Sequence, residues 1–337
     1  MYNFCTYFDV NYLTRGLALH TSLKAFHDIR LWVLCMDPAT HAHLTKLALP
    51  GIEPIALDEL EKDHPKLLEA KANRSAIEYY FTCTAALPLY VFAHHPDVAL
   101  ITYVDADLYF FSSAQPLFDE IGQHSIAIFA HRFPPQLAGR SIFGIYNVGW
   151  LSFRRDEQGL ACLRRWHQQC LDWCYDRLED GRYADQKYLD DWPSRYDNLV
   201  VFSHKGGNLA SWNLLNYALR FEGGRIVVDS DPLIFFHFHG FKQLTKRLFD
   251  SGISEGEVVL SPELRRFLIA PYVEALQAAQ AQLARVGITV SAPSIRRRWH
   301  PFFAFRWYQK VRDVTRLVKR HLRYRAIFRA PSGGGLD

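Results

Sequence analysis

The chain contains no stretch of 18 uncharged apolar residues, so no membrane-spanning helix is expected. Its start lacks the secretory-leader pattern of a basic stretch, an apolar run and a small-residue cleavage site. Residues 2–8 read directly as a strand instead. None of Cys5, Cys35, Cys83, Cys162, Cys170 and Cys174 stands in a CxxC pair, and most have apolar neighbours. That spacing argues against zinc and disulfide frameworks and for buried thiols in a reducing cytosol. Cys170 and Cys174 share a helix face at i, i+4, but no second pair supports a metal. No glycine-rich loop follows the first strand, which disfavours a nucleotidyltransferase. There is no internal repeat.

What is present is ample apolar material: 49% of 337 residues, enough for a sizeable core in one large domain or two. Net charge is uneven. Residues 295–329 hold 12 Lys and Arg against one Asp, a net of +11 in a chain of +4, so the remainder carries −7. An acidic body with a basic tail bears on partners rather than on fold.

Strand and helix signals alternate through the first two-thirds. Strands are expected at 3–7, 30–35, 52–57, 98–104, 125–130, 145–153, 199–203, 225–228 and 233–238. Helices are expected at 14–26, 75–93 and 156–178, the last with Asp156 as N-cap. This alternation predicts an α/β sheet covered by helices. The character changes near 251–262, and a helix is expected over 261–286. The expected domains are a catalytic unit over 1–250, a helical, basic extension over 251–330 and a disordered tail over 331–337.

The apolar run 98–104 ends in Asp105-Ala106-Asp107. Two carboxylates just past a buried strand sit at the carboxyl edge, where α/β sheets bind ligands. Spaced two apart, both can reach one hard divalent cation. By itself Asp-x-Asp is a weak signal, since such triplets are common on surfaces. His237 ends another apolar strand, in Phe235-Phe236-His237-Phe238-His239-Gly240-Phe241-Lys242. A neutral imidazole would complete a carboxylate-rich Mn²⁺ or Mg²⁺ site. Gly240 would let backbone approach a phosphate, and Lys242 would supply positive charge. One histidine of the pair reads equally well as a satisfied core residue. Asp185-Gln186 opens a short helix, and Asp9-Val10-Asn11-Tyr12 follows strand one, a natural nucleotide position. Helix capping accounts as well for Asp185, Asp9 and Asn11. Lys205-Gly206-Gly207-Asn208, with Trp212-Asn213 after it, shapes an acceptor pocket or forms a plain turn.

Taken in order, Asp9-x-Asn11-Tyr12, Tyr103-Val104-Asp105-Ala106-Asp107, Tyr146-Asn147-Val148-Gly149, Asp185-Gln186 and His237-Phe238-His239-Gly240-x-Lys242 resemble the GT-A-fold nucleotide-sugar glycosyltransferases. The similarity is to the retaining family 8 that includes lipopolysaccharide galactosyltransferases and glycogenin, and it spans residues 1–245. The resemblance implies a Rossmann-like, mixed but mostly parallel sheet flanked by helices, here with a C-terminal helical extension. It also implies a metal on the donor diphosphate held by Asp105, Asp107 and His237. Asp9, Asn11 and Tyr7 would line the nucleoside site, and Gly240 and Lys242 the diphosphate site. Asn147, Asp185 and Gln186 would surround the donor sugar and carry catalysis. The chain departs from the family in its helix before Asp-x-Asp, where Glu78-Tyr79-Tyr80-Phe81-Thr82-Cys83 has no arginine. Arg74 is the candidate replacement. The Gly-to-Lys spacing is also shorter than the family's common one, so a divergent member is expected.

The function expected is transfer of a sugar, with retention, from a nucleotide-diphosphate donor such as a UDP-sugar to a glycan or lipid-linked acceptor in envelope polysaccharide assembly. Two readings compete. A phosphatase would use Asp-x-Asp as nucleophile and acid, but that motif usually opens a chain and Leu108 follows here. A degenerate, membrane-tethered sugar-binding scaffold would not need the intact Asp105, Asp107 and His237. From Phe303, apolar residues recur at Trp307, Val311, Val314, Val318 and Leu322, with Arg and Lys between them. A basic amphipathic helix with aromatic residues suits an anionic membrane surface, and places the protein on the cytoplasmic side, peripheral to the inner face. A core-packing helix with a solvated basic face is the alternative. Nucleic acid is disfavoured, because no recognition motif accompanies the charge.

Overall fold

A computed structural model of the chain describes residues 1–245, 247–289 and 321–329. The basic helix expected from Phe303 falls mainly on 303–320, outside the described residues, as does 331–337. No helix among the described residues is long and apolar enough to cross a membrane.

Seven strands form the central sheet: β1 (Tyr2–Phe8), β2 (Ile29–Cys35), β3 (Ile52–Ala56), β4 (Leu100–Val104), β6 (Ile126–Ala130), β7 (Tyr146–Arg154) and β8 (Leu199–Val201). A short strand, β5 (Leu108–Phe110), follows β4 and belongs to a second sheet. The order is β3-β2-β1-β4-β7-β6-β8, and only β7 runs antiparallel to its neighbours. The mixed, mostly parallel α/β sheet predicted from the alternation is therefore observed. Side chains alternate between two faces. Phe4, Phe8, Val104 and Trp150 point to one apolar layer, and Cys5, Tyr103 and Leu151 to the other.

Helices cover both faces: α1 (Leu13–Lys24), α2 (Pro38–Leu47), α3 (Leu57–Asp63), α4 (Lys66–Asn73), α5 (Ala76–Cys83), α6 (Ala86–His94), α7 (Gln115–Ile121), α8 (Glu157–Asp172), α9 (Trp192–Arg195) and α10 (Ala270–Arg285). Asp156 caps α8 as expected, accepting from the Gly159 N–H at 2.8 Å. The long helix expected over 75–93 is instead two. Pro88 has no N–H to give the Thr84 carbonyl one turn back, and the helix breaks at Thr84-Ala85. A capping box between Ser75 and Glu78 starts the first piece. The helix expected to reach 178 ends at Asp172. Beyond it Arg177 and Arg182 stack on Trp173 and close a loop.

Short strands fill the carboxyl edge: β9 (Leu209–Ala210), the hairpin set β10 (Leu219–Glu222), β11 (Arg225–Val228) and β12 (Asp231–Pro232), then β13 (Phe235–His237). β13 pairs antiparallel with β5, setting His237 opposite Leu108. That register carries His237 next to Asp107, although the two lie far apart in sequence. Trp150, fully buried on β7, stacks on Phe235 at 5.4 Å and locks β13 to the main sheet. Removing such an aromatic costs about 3–5 kcal/mol. A further sheet, apart from the central one, β5-β13-β9 and β10-β11-β12, joins β14 (Lys242–Gln243), β15 (Leu248–Asp250) and β16 (Ile327–Arg329). α10 packs its Ala279 and Leu283 into the layer under α1, so residues near 280 share the main core.

Candidate active site

The turn between β4 and β5 presents Asp105 and Asp107. It is closed by the Leu108 N–H donating to the Asp105 carbonyl at 3.2 Å and by the Asp105 N–H donating to Gly149 at 3.1 Å. His237 Nε2 lies 3.1 Å from an Asp107 oxygen and 3.5 Å from an Asp105 oxygen. One ligand atom from each of the three residues falls within 4.8 Å of the others. Tyr103 donates its hydroxyl to Asp105 at 2.8 Å, fixing that carboxylate while leaving it partly open to the pocket. Two hard oxygens and one imidazole nitrogen suit Mn²⁺ or Mg²⁺. His237 Nδ1 is buried without a partner, so the ring is oriented by packing, edge-on against Trp212 at 5.2 Å.

The three groups set one another's proton affinities. Burial opposes ionisation of Asp107, but His237, its hydrogen bond and Arg15 outweigh burial and hold the carboxyl well below the usual range. For Asp105 burial wins over His237, and its proton affinity is raised. Burial also disfavours the His237 imidazolium, yet Asp107 and Asp105 raise its proton affinity above the ordinary value.

Beside this cluster opens a pocket of about 520 Å³. Its walls are Tyr7, Asp9, Asn11 and Tyr12 from the end of β1 and the loop after it, Ala76, Ile77, Tyr80 and Phe81 from α5, and the metal cluster with His239. Tyr80 points its hydroxyl at Asp9 across 3.5 Å. Asp9 accepts from the backbone and the side chain of Asn11, and α1 has no side-chain cap. The same Asp9 carboxylate also accepts from the Tyr12 N–H at 3.3 Å, so Asp9 closes the turn that leads into α1 while it lines the pocket, as a cap would. Asp185 does not cap the short helix after it. Its buried carboxyl is partnered by Thr84. Burial, with the charge of Asp105, pushes Asp185 up to about 7 against that hydrogen bond.

Other expected residues stand a layer back. Asn147 is buried beside the cluster: its amide donates to His131 Nε2 at 3.1 Å and its carbonyl accepts from Gly149 at 3.0 Å. Gln186 donates to the Phe143 carbonyl at 3.1 Å. Gly240 takes φ +75°, a conformation that favours glycine. Lys242 is exposed on β14 and does not line the pocket. The structure does not bring Arg74 to the pocket. Its guanidinium donates to the carbonyls of Cys170 and Leu171 at 2.7 and 2.6 Å and to Thr82, joining the start of α5 to the end of α8. At this helix the pocket wall is Tyr80 and Phe81, and Arg74 is not part of it. All six cysteines are buried and free, as expected.

Sequence reasoning missed Arg15 and His131, and offered Trp212 only as part of an acceptor-pocket loop or a plain turn. Trp212 donates to the His131 carbonyl at 3.0 Å and packs against both His237 and His239. This brings the Lys205–Asn213 loop to the site. His131 is kept neutral, its proton affinity lowered to about 3 chiefly by burial. Arg15 carried a readable signal: a cation in the first turn of a helix opposes the helix dipole, and so needs another reason.

Two Bacillus subtilis proteins are similar to the chain along most of its length. Uncharacterized protein YfnD is 30% identical over 235 residues, 69% of this chain and 75% of YfnD. Uncharacterized protein YfnF is 31% identical over 248 residues, 71% of this chain and 81% of YfnF. The chain belongs to their family. No family model matches it. Among solved structures, galactosyltransferase LgtC superposes with a TM-score of 0.51 at 16% identity, covering 82% of this chain and 95% of LgtC. The bifunctional glycosyltransferase WbbM gives 0.51 at 12% identity, over 86% of this chain and 52% of WbbM. The fold is thus the GT-A fold expected from the motifs.

Proposed function

We propose that this protein is a metal-dependent glycosyltransferase that moves a sugar from a nucleotide-diphosphate donor, a UDP-sugar as first choice, to a glycan or lipid-linked acceptor. The observation that carries the reading is the Asp105, Asp107 and His237 cluster at the carboxyl edge of a GT-A sheet, beside a pocket walled by Asp9 and Asn11. A divalent cation there supplies Lewis-acid stabilisation of the charge that develops on the leaving diphosphate, worth several kcal/mol. The solved galactosyltransferase LgtC binds donor and acceptor sugar analogues, which supports the same pair of partners here.

In this reading Asp9, Asn11 and Tyr7 bind the nucleoside, and the aromatic face of Tyr80 and Phe81 closes the pocket over it. The backbone of Gly240 and the charge of Lys242 serve the diphosphate from the segment after β13. Asn147, Asp185 and Gln186 hold the donor sugar. Asn147 has a fixed orientation, because His131 accepts one of its amide protons. A neutral amide such as Gln186 is a poor nucleophile, which argues against a covalent intermediate; front-face transfer with retention is what the resemblance to family 8 implies. The basic segment from Phe303 holds the enzyme at an anionic, lipid-linked acceptor surface on the cytoplasmic side.

The test is release of nucleoside diphosphate from UDP-, GDP- and dTDP-sugars by the full chain with Mn²⁺, with EDTA, and with Asp107→Asn. Release that needs Mn²⁺ and Asp107 supports the transferase. Release of inorganic phosphate from simple phosphomonoesters instead would make the site a phosphatase.

A further inference from the structure

Arg15 is placed where three parts of the site meet. It lies in the first turn of α1, three residues after the pocket residue Tyr12, and its guanidinium carbon sits 4.1 Å from the centre of the Tyr12 ring. One of its nitrogens donates to the Phe241 carbonyl at 2.7 Å. Phe241 stands between Gly240 and Lys242, in the segment that follows His237 directly. On its third side Arg15 interacts favourably with Asp107 and faces the buried Tyr272. Tyr272 in turn stacks on Phe238 at 3.8 Å, and the Phe238 N–H donates to the Asp107 carbonyl at 3.0 Å. A single cation thereby touches the nucleoside wall and the loop after the candidate metal histidine, and its charge acts on Asp107.

We propose that Arg15 is a positioning residue that makes metal binding and diphosphate binding depend on each other. The inference rests on the glycosyltransferase reading of the site and goes beyond it by assigning the coupling to one side chain.

The charge argument runs in opposite directions for the two ligands. Asp105 and Asp107 attract a divalent cation, and a guanidinium held against Phe241 and Tyr12, whose charge acts on Asp107, reduces that attraction. Arg15 therefore weakens occupancy by the metal alone. A diphosphate carries several negative charges, and a site holding both the metal and Arg15 offers it a net positive charge. Arg15 therefore strengthens occupancy by metal and diphosphate together. Its hydrogen bond to Phe241 adds geometry to charge, since it holds the backbone of the Gly240–Lys242 segment against the Tyr12 wall. A flexible loop at that place would have to be ordered by the ligand, at a cost in affinity. Coupling of this kind is reciprocal: the diphosphate raises metal affinity by the same factor that the metal raises diphosphate affinity.

The experiment is isothermal titration of the full chain with Mn²⁺ alone, with inorganic pyrophosphate alone, and with each in the presence of the other. It compares wild type with Arg15→Met and Arg15→Lys. Pyrophosphate serves as the probe because it presents the diphosphate without committing to a base or sugar. Arg15→Met is expected to bind Mn²⁺ alone at least as tightly as wild type and to lose about tenfold of the coupling factor, within the usual span of coupling between sites. Arg15→Lys, which keeps the charge but not the planar fork, is expected to recover most of that loss. Unchanged coupling in Arg15→Met overturns the proposal. So does a parallel fall of Mn²⁺ affinity, coupling and melting temperature, which marks a merely structural arginine. A wild type that binds no Mn²⁺ overturns the metal-dependent reading itself, a different failure from that of the coupling.

Discussion

Gly149 lies directly beneath the imidazole of His237. A Cβ on Gly149 would come within 2.9 Å of the ring's Cε1 and Nδ1 and 2.5 Å of the Asn147 side-chain oxygen. β7 thus needs glycine here so that the His237 ring and the Asn147 side chain can share one floor. Gly149→Ala is expected to displace His237 and to cost about 1–3 kcal/mol in stability, the usual range for overpacking. Mn²⁺ affinity should fall by more than about tenfold, as it does when partners that orient metal ligands are disturbed. Urea denaturation and Mn²⁺ titration check the two halves separately. Wild-type metal affinity in this variant would show that His237 is not a ligand.

Protonation competes with the metal at His237. Asp107 and Asp105 raise the proton affinity of this imidazole above its ordinary value, and only the neutral ring can coordinate. Without metal, the His237–Asp107 pair contributes stability that is fully present below the unfolded histidine value, near 6.5. That contribution is lost as pH rises through the raised folded value. Mn²⁺ affinity is expected to move the opposite way, increasing as pH rises through that same raised value and releasing protons on binding. Titration in buffers of different ionisation enthalpy measures the protons released. Metal binding that is independent of pH across this range would contradict the assignment of His237.

Asp185 predicts a trade between stability and function. Its carboxyl is pushed up to about 7, chiefly by burial. Between its unfolded value near 4 and this folded value the native state holds the extra proton, so stability falls as pH rises through that window. Asp185→Asn keeps an acceptor for Thr84 and removes the titration. It is expected to raise stability above pH 7 by on the order of 2 kcal/mol and to lower turnover sharply. Denaturation midpoints at pH 5 and pH 8 test the first half, with the gain confined to the higher pH. Full turnover by the variant would remove Asp185 from the donor-sugar site.

Arg74 is expected to behave as a structural residue. Its guanidinium serves the Cys170 and Leu171 carbonyls and the Thr82 hydroxyl. Arg74→Met should lower stability by about 2–3 kcal/mol, because buried acceptors lose a charged donor. The melting-temperature shift induced by nucleotide sugar should persist. Loss of that shift with unchanged stability would place Arg74 at the donor after all.

Much of this architecture was legible because it is local. The apolar run ending in Asp105 is a buried strand, and the expected strands at 3–7 and 145–153 are β1 and β7. The meeting of Asp105, Asp107 and His237 could be anticipated in part because Asp105 and His237 each end an apolar run, although β4 and β13 lie in different sheets joined through β5. Residues whose role depends on distant partners could not be read this way. Trp212 reaches His237 only through the fold of the Lys205–Asn213 loop. Arg15 meets Phe241 across 226 positions of sequence, and Arg74 is drawn away by the Cys170 and Leu171 carbonyls at the end of α8. The break between α5 and α6 was written in Pro88, but an apolar helical pattern on both sides of it masked the missing hydrogen bond.

The most direct test of the metal-dependent nucleotide-sugar site is a thermal-shift comparison of UDP-, GDP-, CMP- and dTDP-sugars on the full chain, each with and without Mn²⁺. Selective binding to the native state raises the melting temperature by mass action. The account predicts that one nucleotide sugar stabilises the protein strongly, that it does so only when Mn²⁺ is present, and that Asp107→Asn abolishes the effect. Equal stabilisation with and without the metal, or none by any donor, would contradict it.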